Sequence, residues 1–231
     1  MRYENVRKGY FLERPNRFIA IVEIDGKPEK CHVKNTGRCR ELLKPRAEVY
    51  LQDCGSPVRK TRYDVIAVKK GEQIVNIDSQ IPNKAVVEWL KKGNLFSKDA
   101  FIRPEKTYKN SRFDVYIEDG GVKTFMEIKG VTLEENGVAR FPDAPTERGI
   151  KHIRELCECK KEGYEACILF LIQMKGVHLL EPNWRTHEAF GDALAEAAEA
   201  GVRILAYDSI VSEDSIVVDM PVKVNLTRSS I

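Results

Sequence analysis

The sequence lacks any apolar run that approaches the ~20 residues needed for a membrane-spanning helix. Its first nine residues contain no apolar stretch followed by a cleavage site, so no secretory signal is predicted. Low-complexity tracts and internal repeats are also missing. We therefore expect a globular, cytoplasmic protein that makes no contact with a membrane.

Cysteine is present, but no two cysteines have the two-residue gap that is typical of a zinc knuckle. The six cysteines are scattered, and Cys157 and Cys159 would point to different faces of a helix. Buried or half-buried free thiols are therefore favoured over metal ligands. A disulfide framework is not expected in a reducing compartment.

No single sign of charge dominates the chain, whose formal net charge is +3. The distribution is uneven, because residues 1–80 hold 17 Lys+Arg against 11 Asp+Glu, a net of +6. Residues 81–231 hold 21 against 24, a net of −3. The basic residues of the first part could line a groove for a phosphate backbone. A solvated surface would explain the same charges equally well.

The first 80 residues predict β-structure. Segment 17–24 alternates and is rich in β-branched residues, and Asp25-Gly26 after it is a turn signal. Further strands are expected at 29–33, 47–52, 63–69 and 73–77, with a helical turn at 40–43. Five short strands in this length predict an OB-like β-barrel. Such barrels commonly bind nucleic-acid strands through a basic face.

The pattern changes near residue 80, which predicts two domains, 1–80 and 81–231. Asn83 is expected to cap a helix that ends at Gly93. Beyond it we expect strands at 112–118, 122–131, 166–172 and 202–207, and helices at 146–163 and 187–201. Asp119-Gly120-Gly121 is a good hairpin turn, and Thr146 is the expected N-cap of its helix. The chain is thus α/β (α+β), with a mixed sheet and flanking helices after the barrel.

A constellation of two carboxylates and a lysine occupies the predicted hairpin. Asp114 lies on its first strand, and Glu127 and Lys129 lie on its second. Residues two apart on a strand share a face, so Glu127 and Lys129 point the same way, and Asp114 can lie opposite them. Such charges are costly in apolar surroundings unless something balances them. Mg²⁺ would do so by taking carboxylate oxygens, and Lys129 could then orient water or stabilise charge on phosphorus.

The same residues have a simpler interpretation. Asp114 could form a salt bridge with Lys129 across the two strands, while Glu127 faces solvent. An acid and a lysine in this spacing occur often by chance, so the constellation taken alone does not decide between the two interpretations.

Neighbouring residues favour a catalytic site over a structural salt bridge. Glu88, on the preceding helix, could offer a third carboxylate to a metal. Arg148 and His152 are four residues apart on a predicted helix and therefore share one face. Together they could hold a phosphate or the attacking water, although a helical histidine is more often a surface or packing residue.

Four segments carry a resemblance to a known family: 9–18 (GYFLERPNRF), 35–38 (NTGR), 111–114 (SRFD), and 141–149 (FPDAPTERG) continuing to Lys151-His152. Over nearly its whole length the chain resembles the sugar fermentation stimulation protein A (SfsA) family. Its second half resembles the PD-(D/E)xK nuclease superfamily, which has a restriction-endonuclease-like fold. The chain departs from the usual family pattern at Lys34, where a proline is common, and at Cys39, where an apolar residue is common.

The resemblance implies an N-terminal OB-like domain, a C-terminal nuclease-like domain, and DNA binding with little sequence preference. It makes Asp114 and Glu127 ligands of Mg²⁺ or Mn²⁺ together with Glu88, and Lys129 the catalytic lysine. Arg148 and His152 complete the expected catalytic set. The residues expected to contact nucleic acid are Lys34, Asn35, Arg38, Arg40, Lys44 and Arg112.

Two functions are consistent with the sequence. The first is a metal-dependent nuclease that acts on DNA, with RNA as an alternative substrate. The second is a non-catalytic DNA-binding regulator of sugar-metabolism genes that keeps the nuclease fold. An exposed edge strand at 215–220 could also pair with a second copy of the chain to form a homodimer.

Overall fold

The basic first part of the chain folds into short strands, as its pattern predicts. The structure is a computed structural model that describes residues 1–35, 37–55 and 59–228. The strands before the first helix are β1 (Val6–Asn16), β2 (Ile19–Ile24), β3 (Lys27–Val33), β4 (Glu48–Asp53), β5 (Tyr63–Lys70) and β6 (Gln73–Asn76). The sequence pattern did not predict β1, because only Gly9 and Phe11 among its residues are buried.

Five of these strands close into a barrel. β1 pairs with β2 and β4, β2 pairs with β3, and β4 pairs with β5, all antiparallel. A parallel pairing of β3 with β5 completes the ring. Its interior holds β-branched side chains such as Val22, Val49 and Val65, each 0% exposed, and burying each contributes about 1.5–3 kcal/mol. The predicted OB-like barrel is confirmed.

Helix α1 (Ile81–Lys91) follows the barrel, but its predicted cap is wrong. The N-cap is Gln80, and Asn83 lies inside the first turn. Pro82 is accommodated there because the first turn of a helix leaves backbone N–H groups without intrahelical partners. The helix ends as predicted, since Gly93 follows its C-cap with a φ of +84°.

The second part of the chain combines sheets and helices. Its elements are β7 (Phe101–Tyr108), β8 (Ser111–Asp119), β9 (Val122–Val131), β10 (Glu134–Glu135), β11 (Val138–Phe141), α2 (Glu147–Lys161), β12 (Glu165–Ile172), β13 (Leu179–Pro182), α3 (Glu188–Glu199), β14 (Arg203–Val211), β15 (Ile216–Pro221) and β16 (Lys223–Val224). The main sheet has the order β15-β14-β12-β9-β8-β7, with β9, β12 and β14 parallel. This is the predicted mixed sheet with flanking helices.

Strand β12 is buried on both faces, as its continuous apolar run predicts. Ile168 and Phe170 belong to the hydrophobic cluster that contains residues of α2 and α3, whereas Leu169 and Leu171 belong to the cluster that contains α1. Helices therefore cover both faces of the sheet at its centre. The strand lies next to β9 and so gives the predicted hairpin a rigid neighbour.

Two further local predictions are confirmed. Asp119 pairs with Val122, which leaves Gly120 and Gly121 as a two-residue turn with φ of +55° and +84°. Such positive φ angles are those that glycine tolerates in tight hairpins. At the start of α2, the Thr146 hydroxyl accepts a hydrogen bond from the backbone N–H of Gly149 at 3.1 Å.

The two parts of the chain share a buried polar junction. The Gln173 Nε2 group donates to the backbone oxygen of Asn76 (3.1 Å), to Asn76 Oδ1 (2.9 Å) and to the backbone oxygen of Asp78 (3.2 Å). Gln173 follows β12, whereas Asn76 ends β6 of the first part. Because buried polar groups are costly without partners, these bonds fix how the barrel sits against the sheet.

Strand β15 lies at one edge of the main sheet. The start of this edge is covered, because Tyr3 N–H donates to the Asp214 carbonyl (2.7 Å) and Ile216 N–H donates to the Met1 carbonyl (3.1 Å). Farther along, Val217 and Met220 are exposed by 44% and 58%. Pairing of a second copy at this edge stays a prediction.

The cysteines behave as the sequence indicates. All six are free thiols; Cys31, Cys39, Cys159 and Cys167 are buried, and the other two are half-buried. Within the described ranges, no helix combines the length and apolar character needed to cross a membrane.

Candidate functional site

The pairing between β8 and β9 changes where Asp114 lies. The ladder runs from Asp119↔Val122 to Val115↔Met126. Beyond it, the Ile128 N–H donates to the carboxylate of Asp114 (Oδ2, 2.8 Å). The other oxygen, Oδ1, accepts from Asn83 Nδ2 at 2.7 Å. A side chain therefore replaces the backbone as the partner of β9, which fixes this carboxylate at the hairpin's open end.

Glu127 is the most buried charged member of the constellation, with 2% of its surface exposed. Its Oε1 accepts from Lys129 Nζ at 2.6 Å and contacts His152 Nδ1 at 2.5 Å. Its Oε2 is buried and has no hydrogen-bond partner among the described residues. One oxygen is thus held by two groups, and the other is left for a ligand.

The site can be compared directly with the simpler interpretation of the sequence. Lys129 pairs with Glu127, two residues away on the same strand, and not with Asp114 across the hairpin. Glu127 does not face solvent. The geometry is therefore that of converging side chains, with Glu127 and Lys129 on one face of β9 as predicted.

The two carboxylates differ in their proton affinity. Burial, and then the charge of Glu127, raise the pKa of Asp114 to about 6. Burial alone would raise the pKa of Glu127, but the hydrogen bond with His152 and the charge of Lys129 outweigh it and leave that pKa below its ordinary value. Glu127 is thus held as an anion beside Asp114, whose ionised form is unfavourable. A divalent cation bound to both carboxylates would reduce this electrostatic cost.

These residues fit a hard divalent ion. Asp114 and Glu127 offer carboxylate oxygens, and the unpartnered Oε2 of Glu127 is a free ligand position. Mg²⁺ is usually bound through one or two carboxylates and keeps several waters, so no larger protein cage is required. The parts of the chain that are described contain no group of three or more His, Cys, Asp or Glu residues placed to hold a metal, so an ion here would depend on these two carboxylates and on water.

The structure does not bring Glu88 to this site. Its carboxylate contacts Lys92 Nζ (2.8 Å) and the amino group of Met1 (2.8 Å), and these partners lower its pKa to about 2. Glu88 lies near the end of α1, whereas the first turn of that helix faces Asp114. The sequence predicted the correct helix, on which Glu88 is the only carboxylate, but the turn of the helix that carries Glu88 is not the turn that faces Asp114.

Sequence reasoning missed three residues that line the same pocket, which has a volume of about 250 Å³ and which we call the carboxylate pocket. Asn83 holds Asp114. Glu105, on the unpredicted strand β7, has a φ of +56° and contacts Arg112 at 3.4 Å. Ser79 closes one side. Pro104 obscures β7 in the sequence, because proline is rare in strands away from sheet edges.

Arg148, His152 and Arg112 line the carboxylate pocket as expected. His152 is buried, and its Nδ1 is committed to Glu127, so it positions that carboxylate. Arg112 is exposed, with 63% of its side chain accessible. Two guanidinium groups therefore stand at the pocket in addition to Lys129, and they can contact a phosphate from outside.

The predicted nucleic-acid contacts on the barrel divide into two groups. Lys34 is not free, because its ammonium contacts Asp64 (3.0 Å) and Asp78 (3.2 Å), both of them buried. Asn35 lines a separate pocket at the junction of the two parts. Thr36, which belongs to the 35–38 motif, lies outside the described residues.

Arg38, Arg40 and Lys44 are exposed, and they form no ion pair with any described residue. Arg38 and Arg40 line a groove on the barrel, together with Arg14 and Arg17, which we call the barrel groove. Arg14 stabilises this loop by donating hydrogen bonds to four backbone carbonyls, among them those of Gly37 and Arg38. The prediction of exposed cations there agrees with the geometry.

Three depressions follow one another across the molecule. The junction pocket, of about 310 Å³, shares Ser79 with the carboxylate pocket and Gly37 with the barrel groove. The three depressions therefore adjoin one another in the order carboxylate pocket, junction pocket and barrel groove. Sequence reasoning did not reveal the junction pocket, because its walls come from segments that are far apart in the chain.

Comparison with known proteins agrees with the fold. Residues 12–77 match the family described as the SfsA N-terminal OB domain, and residues 80–215 match the sugar fermentation stimulation protein RE domain. Curated relatives, each named as a sugar fermentation stimulation protein homolog, include one from Desulfitobacterium hafniense that is 60% identical and covers 94% of each chain. Another, from Clostridium beijerinckii, is 58% identical and covers 94% of this chain and 96% of its own.

A solved structure, that of Pyrococcus furiosus SfsA in complex with Ca²⁺, is also similar. It is 29% identical, superposes with a TM-score of 0.87, and covers 97% of this chain and 98% of its own. The barrel, the mixed sheet, both family matches and these relatives agree along nearly the entire sequence. The chain belongs to the sugar fermentation stimulation protein (SfsA) family.

Proposed function

We propose that the chain is a nuclease that uses a divalent metal ion to cleave DNA. The observation that carries this proposal is the convergence of Asp114, Glu127 and Lys129 in one pocket, with a buried Glu127 oxygen that no described group satisfies. Buried polar atoms are rarely left without partners, so a metal ion or an ordered water is expected at this oxygen. Metal-dependent phosphodiester hydrolysis uses this combination of metal ligands and a neighbouring cation.

Each residue has a separate role. Asp114 and Glu127 would hold Mg²⁺ or Mn²⁺, which when bound supplies positive charge for the developing phosphoryl oxygens. Lys129 offers its ammonium to water or to the phosphate. His152 holds Glu127 in position through Nδ1. Arg148 and Arg112 would contact the phosphate of the substrate.

Two further observations support the proposal. The related Pyrococcus furiosus protein was solved in complex with Ca²⁺, an ion that takes the same kind of oxygen ligands as Mg²⁺. A path across the three adjoining depressions would run from the carboxylate pocket, past Ser79 and Gly37, to the exposed Arg38 and Arg40. A negatively charged strand could follow this path, because cations stand near both of its ends.

The test is cleavage of single- and double-stranded DNA and RNA by purified protein, with Mg²⁺, with Mn²⁺ and with EDTA. We expect DNA cleavage that depends on the metal and falls at least about a hundredfold in Glu127→Gln and in Lys129→Ala. Glu199→Gln is the matched control, since Glu199 is exposed on α3 and lies outside the pocket. Cleavage that persists in both pocket variants, with their folding verified by circular dichroism, would refute the proposal.

A second candidate is a DNA-binding protein that does not cleave. The net charge of +6 on residues 1–80 favours it, together with the exposed cations of the barrel groove. This candidate binds DNA equally well with and without metal, and it shows no cleavage under any of these conditions. A calcium titration separates the two: tight Ca²⁺ binding that Asp114→Asn abolishes favours the nuclease, and indifference to Ca²⁺ favours the regulator.

A further inference from the structure

The junction pocket contains an oriented acceptor. Gln173 is 1% exposed, and its Nε2 group is engaged by Asn76 and Asp78. These acceptors fix which end of the amide faces them, so Oε1 faces the other way, over Gly130. Any side chain at Gly130 would collide with this oxygen, and no described group donates a hydrogen bond to it. The pocket therefore presents a carbonyl oxygen whose direction is set by the fold.

The second polar group is a carboxylate without a cation. Asp143 lies against Gly37, where even a methyl group would collide with its Oδ2. Within the described ranges, no cationic group lies within ion-pair distance of Asp143. A lone carboxylate beside a path for DNA repels phosphates, so it is unfavourable unless it meets a hydrogen-bond donor or a cation of the ligand.

The third group is a donor. Asn35 Oδ1 accepts from the backbone N–H of Gly37 at 2.7 Å, which leaves the Nδ2 hydrogens for another partner. Asn35 and Asp143 approach each other at Gly37, since both lie close to the position that a side chain there would occupy. Two acceptor groups and one amide donor therefore line a single pocket of about 310 Å³, together with the polar side chains of Ser79, Thr132, Arg140 and Thr146. Ser79 and Thr146 already bond backbone groups, and Arg140 lies near Glu135 and Glu181. The volume is near the lower end of the ~300–1,000 Å³ usual for small-molecule sites.

We propose that the junction pocket binds the guanine base of a nucleotide next to the cleaved phosphodiester. The Watson–Crick edge of guanine carries two donors, N1–H and the 2-amino group, beside one acceptor, O6. The number of donors and acceptors on this edge is complementary to two acceptors and one donor, whereas cytosine and thymine each present one donor and two acceptors. Enzymes that act on nucleic acids commonly read an extruded base through hydrogen bonds to this edge.

The position of the pocket fits such a base. Ser79 and the Lys129-Gly130 segment separate it from the carboxylate pocket, so a strand with its phosphate beside Lys129 brings a neighbouring base to Gly130. The inference rests on the proposed nuclease function, because it assigns both pockets to one strand. It adds a base preference to a protein for which DNA binding with little sequence preference is expected.

The experiment measures binding of dGMP, dIMP, dCMP and dTMP to the full chain by isothermal titration calorimetry, with Ca²⁺ present. We expect dGMP to bind about tenfold more tightly than dTMP. dIMP, which lacks only the 2-amino group, should fall between them. Asp143→Asn and Asp143→Ala should each weaken dGMP binding about tenfold and leave dTMP unchanged. Asp192→Asn, an exposed carboxylate on α3, is the matched control.

Equal affinity for the four nucleotides, or dGMP binding that neither Asp143 variant weakens, would overturn the inference. Loss of a Ca²⁺-binding event in Asp143→Asn with dGMP affinity retained would overturn it too and would assign the pocket to a second cation. Because binding is measured without cleavage, failure of the two proposals can be told apart. If the protein cleaves DNA without any base preference, only the proposal of a base pocket fails. If it binds dGMP selectively but cleaves nothing, only the proposal of a nuclease fails.

Discussion

The positions of Asp114 and Glu127 are expected to lower the stability of the protein. Glu127 is buried and Asp114 is half-buried, and the charge of Glu127 raises the pKa of Asp114 in addition to the effect of burial. Proteins keep such arrangements at functional sites, where a ligand rather than the fold compensates the cost. The pair is therefore expected to destabilise the metal-free protein and to stabilise the metal-bound one.

Replacing Asp114 by Asn tests this expectation. In EDTA above pH 7, Asp114→Asn should raise the free energy of unfolding by on the order of 1–2 kcal/mol, because it removes a half-buried charge next to Glu127. The amide oxygen can still accept from Ile128 N–H, and Asn83 can turn its amide to present Oδ1. Urea denaturation measures the difference.

Metal addition provides the complementary measurement. Saturating Ca²⁺ should raise the Tm of the wild type and leave that of Asp114→Asn nearly unchanged, because only the form with both carboxylates binds the ion tightly. A variant that is less stable than the wild type in EDTA would show that the carboxylate is structural. Asp192→Asn controls for the loss of a charge at the surface.

At the scale of elements, the hairpin β8–β9 and helix α2 build the site together. The hairpin turn and the two-residue spacing on β9 are local, and both were predicted correctly. α2 supplies His152 and Arg148, and the hydrogen bond at Thr146 determines where the helix begins. A capping hydroxyl at a distance from the chemistry therefore contributes to the stability of the helix that carries two site residues.

Thr146→Ala should lower the free energy of unfolding by about 1 kcal/mol, since an N-cap hydroxyl contributes roughly 0.5–2 kcal/mol. Thr146→Ser keeps the acceptor for Gly149 N–H and should stay close to the wild type. Chemical denaturation of the wild type and the two variants measures the differences in the free energy of unfolding. Equal destabilisation by serine and alanine would indicate that the methyl group, and not the hydroxyl, is important.

Elements that were missed share a cause. β1 has mostly exposed or half-buried residues, and β7 contains Pro104 and a left-handed Glu105. Their place in the sheets comes from neighbouring strands and not from alternation of their own side chains. The N-cap of α1 was predicted at the wrong residue for a related reason. Asn83 is a good capping residue, but in the folded chain its side chain donates a hydrogen bond to Asp114 instead.

For the whole molecule, the important feature is how the barrel stands against the sheet. The Gln173 bonds to Asn76 and Asp78 fix that arrangement, and the junction pocket is its consequence. The basic surface of the barrel is smaller than the sequence suggests, because many of its cations are paired. Lys34 is held by Asp64 and Asp78, and Arg62 is held by Asp53.

Charge reversal tests whether the exposed cations near the barrel groove bind DNA, as proposed. The triple variant Arg38→Glu, Arg40→Glu, Lys44→Glu should weaken DNA binding strongly and reduce the slope of log affinity against log salt by about 2–3. The matched control reverses the same amount of charge at Lys27, Lys30 and Lys69, which are exposed and lie outside the barrel groove. Salt-dependent fluorescence anisotropy in Ca²⁺ gives both quantities. Equal loss in the two triple variants would mean that net charge alone governs binding.

The sequence by itself determined four of the five barrel strands (β2 to β5), the hairpin turn, the shared face of Glu127 and Lys129, and the cap of α2. All of these depend on residues a few positions apart, where backbone periodicity and local hydrogen bonds decide. Only the tertiary structure decided that Asn83 and not Glu88 meets Asp114, that Lys34 is paired, and that a pocket forms between Gly37 and Gln173. Those contacts join residues from 30 to more than 130 positions apart, and their partners are chosen by packing and charge compensation across the whole molecule.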